Sequence, residues 1–279
     1  LERKARFREL ILGIEGLALL RQAIDGDEAF LRARVDEIRE FINKPSSGGG
    51  KPLEELDPAA GYATWAPIYD SLPNAFIAVE QPVVHRLVER SPAGVALDAA
   101  CGTGRHTGAL VARGHRVIGV DQSPEMLSVA RDKVPAAEFR AGDLEKLPVD
   151  DGCVDLALCA LALTHLADLR PGVRELARTL RPGGRLIISD LHPMMVLLQG
   201  QAPFVSGPGR LAFVRNHVHL SGHYLAAFAD AGLVVTSCTE PLFNGQLPPS
   251  GFEERVAEAA RAAWEGIPSA VVWELEKPL

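Results

Sequence analysis

The sequence predicts an α/β protein: a doubly wound, mostly parallel seven-stranded sheet with an N-terminal helical extension. Three observations point there. From Val95 onward, short continuously apolar runs alternate with helical segments, the pattern of strands buried on both faces. A glycine-rich turn, "LDAACGTGRHTG" at Leu97–Gly108, joins the first run to the first helix. The chain has 279 residues, 47% of them hydrophobic, enough for one large core and an appendage.

The appendage comes first. Phe7, Leu10, Ile11, Ile14 and Leu17 recur at helical spacing, "AIDGD" at Ala23–Asp27 breaks the pattern, and Leu31, Val35, Ile38 and Ile42 form a second stripe. Residues 1–44 therefore read as a helical hairpin, with acidic and basic side chains in balance. "KPSSGGGKP" at Lys44–Pro52 has the composition of a flexible linker, so residues 45–60 are expected to connect the hairpin to a domain over 61–279. Two helices alone bury too little to be stable. The hairpin is expected either to pair with a second copy in a homodimer or to cover the substrate entrance.

The seven strands are expected at Val95–Ala100, Val117–Asp121, Glu138–Ala141, Val154–Ala160, Leu186–Asp190, Leu233–Thr239 and Ala270–Glu276. Helices are expected at His106–Arg113, Pro124–Lys133 and Leu169–Leu180, with "RPGG" at Arg181–Gly184 as a helix stop and turn. Residues 191–220, which contain "QGQAPFVSGPG", are the expected substrate loop. In such sheets ligands bind beyond the carboxyl ends of the strands.

Composition narrows the partners. The chain carries 29 basic and 36 acidic side chains, a formal charge of −7, with no basic patch, so nucleic acid is not an expected partner. No apolar run approaches the ~20 residues of a membrane span, and no secretory leader is recognisable. Cys101, Cys153, Cys159 and Cys238 lack metal-like or disulfide-like spacing, which fits reduced thiols in the cytoplasm.

The glycine loop carries the chemistry. Gly102, Gly104 and Gly108 give G-x-G-x-x-x-G, neither the dinucleotide fingerprint nor a phosphate-binding P-loop. Asp98, just before the glycines, would oppose a pyrophosphate and favour a cationic or amine-bearing ligand. Asp121 ends the second strand, where two carboxylate oxygens can accept both hydroxyls of a ribose. After the third strand, Asp143 can accept from an exocyclic amine while the Leu144 N–H meets a ring nitrogen. An amine site, a ribose site and an adenine site without a phosphate grip describe S-adenosylmethionine.

Three longer stretches, "LDAACGTGRHTGALVARGHRVIGVDQSPEMLSVAR", "GDLEKLPVDDGCVDLALCALALTHL" and "LRPGGRLIISDLHP", together resemble class I S-adenosylmethionine-dependent methyltransferases. The resemblance is nearest to the small-molecule, ubiquinone/menaquinone-biosynthesis-like (type 11) group and covers roughly residues 61–233. It implies a Rossmann-like domain in which Asp98, Gly102 and Gly104 line the methionine end and Asp121 holds the ribose, with Ala100 and Gln122 also against the cofactor. It further implies that Met126 packs on the adenine, that Asp143 and Leu144 meet its polar edge, and that Ala160 faces the cofactor amine. Tyr62 and Tyr69, in "GYATWAPIYD", look like the aromatic helix that closes over the cofactor in this group; with Trp65 they also fit a plain buried helix face.

His165, in "LTHLADL", and His192, in "SDLHPMM", each follow a central strand and are the candidate catalytic bases, each equally readable as a satisfied structural histidine. His106 and His115 read as structural. "NHVHLSGHY" adds His217, His219 and His223, of which His217 and His219 alternate on a strand or loop, and no metal is expected. The expected function is methyl transfer to an O or N atom of a small organic acceptor, in bacterial specialised metabolism. A non-catalytic cofactor-binding module and an NAD-type oxidoreductase are the alternatives; the glycine spacing and Asp98 speak against the latter.

Overall fold

The computed structural model describes residues 3–44, 50–71, 73–199, 203–244 and 256–279. Ten helices and eleven strands are described: β1 Lys4–Ala5, α1 Phe7–Arg21, α2 Glu28–Asn43, β2 Lys51–Leu56, α3 Pro58–Trp65, α4 Ala75–Glu89, β3 Val95–Ala99, α5 Arg105–Ala112, β4 Arg116–Asp121, α6 Pro124–Lys133, β5 Glu138–Ala141, β6 Val154–Ala160, α7 Arg170–Thr179, β7 Leu180–Leu191, α8 Pro193–Gln199, β8 Phe204–Gly207, β9 Arg210–Val214, α9 Ser221–Asp230, β10 Val234–Thr239, α10 Ala257–Trp264 and β11 Ala270–Glu276. No helix among the described residues is long and apolar enough to cross a membrane.

The chain divides into two compact units: residues 1–54, 203–212 and 242–267 form one, and residues 55–202, 213–241 and 268–279 the other. The larger unit holds the seven-stranded sheet, ordered β10-β11-β7-β6-β3-β4-β5. The pairs β3/β4, β3/β6, β4/β5 and β6/β7 are parallel; β7/β11 and β11/β10 are antiparallel.

Period-two alternation sorts the sheet's apolar residues onto two faces. Ala96, Val117, Leu156, Leu158, Ile187 and Val272 meet Val84, Leu87 and Val88 of α4 and Leu110 of α5. Their sequence neighbours Leu97, Ile118, Ala157, Cys159, Ile188 and Trp273 meet Val173 and Leu176 of α7 and Tyr224 and Phe228 of α9. Both faces are covered, which is why these strands read as continuously apolar.

The seven strands and three helices fall where the sequence predicts, with shifts at the ends. The largest concerns β7: the expected turn at Arg181–Gly184 lies inside the strand. Val154 pairs with Leu180 and Leu156 with Arg185, so the tetrapeptide bulges out between two registered positions, with Gly183 at φ 74°.

The smaller unit contains α1, α2 and α10. On α1, Ile11 and Ile14 of the expected stripe are buried, together with Ala18 beside it, but Leu10 is exposed. On α2 the expected apolar stripe is not the fully buried face; Arg34 is, at 2% exposure. Its guanidinium is held by Glu37 at 2.8 Å and Glu258 at 2.9 Å, with Glu15 3.7 Å away. Opposite charge lets a cation occupy an interior position that periodicity assigns to apolar residues. Arg21 Nη1 donates to the Ala263 carbonyl at 2.7 Å, satisfying the end of α10.

The expected linker is only partly one: residues 45–49 lie outside the described residues, but Lys51–Leu56 forms β2, and Asp57 then caps α3 by accepting the Ala60 N–H at 3.0 Å. Of the expected substrate loop, residues 200–202 also lie outside the described residues, and the rest includes α8, β8 and β9.

Candidate active site

At the carboxyl ends of β3, β4, β5 and β6, in the larger unit, lies a cavity of about 490 Å³, a size typical of small-molecule sites. The turn after β3 supplies Ala100 and Gly102, and the end of β4 supplies Asp121 and Gln122. Met126 comes from α6, capped where the Ser123 hydroxyl accepts the Met126 N–H at 3.2 Å. The turn after β5 supplies Asp143, Leu144 and Glu145, and β6 ends with Ala160 on the wall.

Two wall residues, Ala100 at φ 57° and Leu161 at φ 54°, hold left-handed backbone conformations unusual for residues with a Cβ. They follow the two central strands, β3 and β6, and such strain concentrates at functional sites. Gly102, at φ 53°, supplies the same handedness without a Cβ.

Asp121 is anchored by backbone on both of its oxygens. Its Oδ2 accepts the Gly102 N–H at 2.8 Å and its Oδ1 the Ser123 N–H at 2.9 Å. Each oxygen keeps a second lone pair for a ligand hydroxyl. Burial raises its pKa, while the bonds from Ser123 and Gly102 pull it back down. Asp143 Oδ1 accepts the Glu145 N–H at 2.7 Å, which fixes the turn after β5.

The lining includes four carboxylates, Asp121, Asp143, Glu145 and Asp168, and among the described residues no Lys or Arg. That set of acceptors and negative charges suits the hydroxyls, amines and sulfonium of S-adenosylmethionine and gives a pyrophosphate no cationic partner.

The aromatic segment stands over this wall. The Tyr62 ring lies 6.1 Å from both Trp65 and Tyr69, and Trp65 and Tyr69 meet edge-on at 5.6 Å. Tyr62 and Tyr69 line the cavity. Asp70 fastens the segment to the glycine loop: it accepts from Thr103 Oγ1 at 2.8 Å and pairs with Lys133 at 2.7 Å.

His165 lies in the wall beside Tyr62. Its Nδ1 is 2.9 Å from the Arg215 carbonyl, which can only accept, so Nδ1 carries the hydrogen. Nε2 then accepts the Tyr62 O–H at 2.8 Å. Burial holds the pKa of His165 below its ordinary value, partly offset by the Arg215 carbonyl, so the ring is neutral at pH 7.

Three expected site residues stand elsewhere. Asp98 is 2% exposed, outside the lining, and accepts the Thr107 hydroxyl at 2.6 Å; it braces α5 from beneath the loop. Gly104 is the N-cap of α5 at φ 79°, a backbone role. His192 is the larger correction, because it does not line the cavity with His165. Its Nδ1 accepts the Met194 N–H at 3.2 Å and its Nε2 faces Glu240 at 3.2 Å, so it serves the start of α8. Sequence reasoning missed Leu161, whose positive φ has no local signature, and the Arg215 carbonyl, whose role comes from a segment distant in sequence.

Residues 97–188 match the family model described as a methyltransferase domain. The chain is 35% identical over 136 residues to a malonyl-(acyl-carrier protein) O-methyltransferase of Serratia marcescens, covering 48% of this chain and 52% of that protein. It is 32% identical over 167 residues to a demethylmenaquinone methyltransferase of Deinococcus radiodurans, covering 54% and 66%. The chain thus spans less than two thirds of the length of these relatives.

Among solved structures, an S-adenosylmethionine-dependent methyltransferase from Mesorhizobium loti matches with a TM-score of 0.55 at 22% identity, covering 73% of this chain and all of that one. A cyclase, SpnF, matches with a TM-score of 0.56 at 20% identity, covering 81% and 99%. At these identities the likeness establishes the fold; the chemistry is argued from the site.

Proposed function

We propose that this chain, which carries a methyltransferase domain over residues 97–188, is an S-adenosylmethionine-dependent enzyme that methylates an O or N atom of a small organic acceptor. The observation that carries this reading is the cavity's set of acceptors: four carboxylates, Asp121 at the tip of β4, Asp143 and Glu145 in the turn after β5 and Asp168 ahead of α7, with no lysine or arginine on the wall among the described residues.

When bound, S-adenosylmethionine supplies an electrophilic methyl group on a positively charged sulfur. Asp121 would hold the ribose through the free lone pairs of its two oxygens. Met126 and Leu144 would flank the adenine, with Asp143 at its amino group, and the Ala160 backbone would meet the methionine amine. Tyr62 and Tyr69 exclude water, and positioning of this kind supplies much of the acceleration in displacement chemistry. His165, neutral and in the wall, is the group able to take a proton from the acceptor; His192 is too engaged at α8 to share that role. The acidic wall disfavours a polyanionic acceptor such as nucleic acid.

Calorimetric titration with S-adenosylmethionine, and separately with NAD, tests the cofactor. Binding of the first and not of the second is expected; the reverse preference would overturn the reading. Mass spectrometry of acceptor mixtures incubated with protein and methyl-labelled cofactor then tests transfer.

A further inference from the structure

The residues around His165 do more than place a base in the wall. His165 Nδ1 is committed to the Arg215 carbonyl at 2.9 Å, so the lone pair on Nε2 points at the Tyr62 hydroxyl 2.8 Å away. The carbonyl is itself pinned. The Arg215 guanidinium grips Glu55 at 2.6 and 2.7 Å, a two-pronged pair that fixes orientation as well as distance. Two residues further on, His217 N–H donates to the Thr164 carbonyl at 2.7 Å, tying this segment to the turn that carries His165. Glu55 also lies two residues before Asp57, the cap of the helix bearing Tyr62. One anchor therefore sets both the histidine tautomer and the approach of the tyrosine.

The hydroxyl of Tyr62 gives its hydrogen to Nε2 and keeps its oxygen lone pairs for a donor arriving from the cavity. Such a donor must carry its own hydrogen. A neutral O–H is a poor nucleophile unless its proton leaves as it attacks, whereas a neutral amine attacks first and loses its proton afterwards.

Resting on the cofactor reading above, we infer that Tyr62 and His165 form a two-step proton relay, and that the acceptor is a hydroxyl compound of phenol or enol type. The acceptor O–H proton passes to Tyr62 Oη while the Tyr62 proton passes to His165 Nε2. The freed oxygen lone pair forms the new O–CH3 bond, and the electrons of the breaking C–S bond stay on sulfur as a thioether. The positive charge leaves the sulfonium and ends on the His165 imidazolium, which returns its proton to water. Tyr62 touches the acceptor and is a catalytic residue; Arg215 and Glu55 are positioning residues.

The hydrogen-bond half of the proposal is tested without an acceptor, by nitrogen-15 NMR of histidine-labelled protein with and without S-adenosylhomocysteine. The expected result is a hydrogen on Nδ1 of His165 and a pyridine-type Nε2 whose shift moves in Tyr62→Phe. A hydrogen on Nε2, or a shift indifferent to Tyr62→Phe, overturns the relay.

The transfer half uses tritiated-methyl S-adenosylmethionine with matched panels of small phenols and anilines. Phenols are expected to be labelled. His165→Gln and Tyr62→Phe should each lower kcat by about 10²–10⁴-fold, the range for a lost proton-transfer group, while affinity for S-adenosylhomocysteine is kept. The rising limb of the pH–rate profile should disappear with His165. Labelling of anilines alone, or near-wild-type kcat in both variants, overturns the relay. Failure of the wild-type protein to bind S-adenosylmethionine refutes the cofactor reading instead, and the NMR result still reports on the hydrogen bond.

Discussion

Asp121→Ala tests whether the carboxylate at the tip of β4 holds a ribose. In the structure both its oxygens accept a backbone N–H, from Gly102 and Ser123, and it is 9% exposed. Two hydroxyl bonds to this charged group are worth about 1.5–3 kcal/mol each. Their loss corresponds to a weakening of Kd by about 10²–10⁴-fold, reduced by whatever water restores. The same substitution strips two N–H groups of their acceptor, at roughly 1–3 kcal/mol each where water cannot reach, so the melting temperature should fall as well. Asp121→Asn separates the two effects: its single carbonyl oxygen can serve one N–H, while its NH2 group faces the other. The assay is calorimetry with S-adenosylhomocysteine, run well below the melting temperature of each variant. A folded Asp121→Ala protein with wild-type Kd would refute the ribose assignment.

Three further outcomes are expected. Asp190, fully buried and bonded to Tyr224 at 2.8 Å, has its pKa raised by burial from near 3.8 to about 7. The folded state therefore binds the proton more tightly, and wild-type stability should fall as pH rises from about 4 through 7; denaturant melts of Asp190→Asn should lack that slope. In the smaller unit Glu15 is raised from 4.5 to about 8, chiefly by burial, against the pull of Arg34; thermal melts should show a decline in stability between those pH values that Glu15→Gln abolishes. Asp70→Ala unfastens the aromatic segment from Thr103, and stopped-flow release of S-adenosylhomocysteine should quicken by up to about tenfold, since the exposed pairing with Lys133 adds little and the Thr103 bond more.

The outer strands β5 and β10 are partly exposed, but the middle of the central sheet was legible because β3, β4, β6 and β11 are largely buried on both faces. The strands β2, β8 and β9 were not: "KPLEEL", β2, is exposed or half-buried along its whole length, so no hydrophobic period marks it. Asp121 and Asp143, which line the cavity, were legible because topology puts ligand sites at strand ends, whereas Met126, on α6, came from the family resemblance alone. Asp98 shares that sequence logic but turns into the interior to meet Thr107, a choice made by packing. His165 and His192 are indistinguishable by position after a strand. What separates them is the return of residues 215–217 alongside the first, a contact between segments about 50 residues apart. Arg34 shows the same limit on α2, where a buried cation depends on Glu37 of its own helix and on Glu258 from a distant stretch of chain.

The most direct measurement is a crystal structure of the protein with S-adenosylhomocysteine. It should place the ribose hydroxyls on Asp121, the adenine between Met126 and Leu144 with its amino group at Asp143, and the sulfur on the side of the cavity facing Tyr62 and His165. A nucleoside bound elsewhere, or a cavity that stays empty at saturating ligand, would contradict the account.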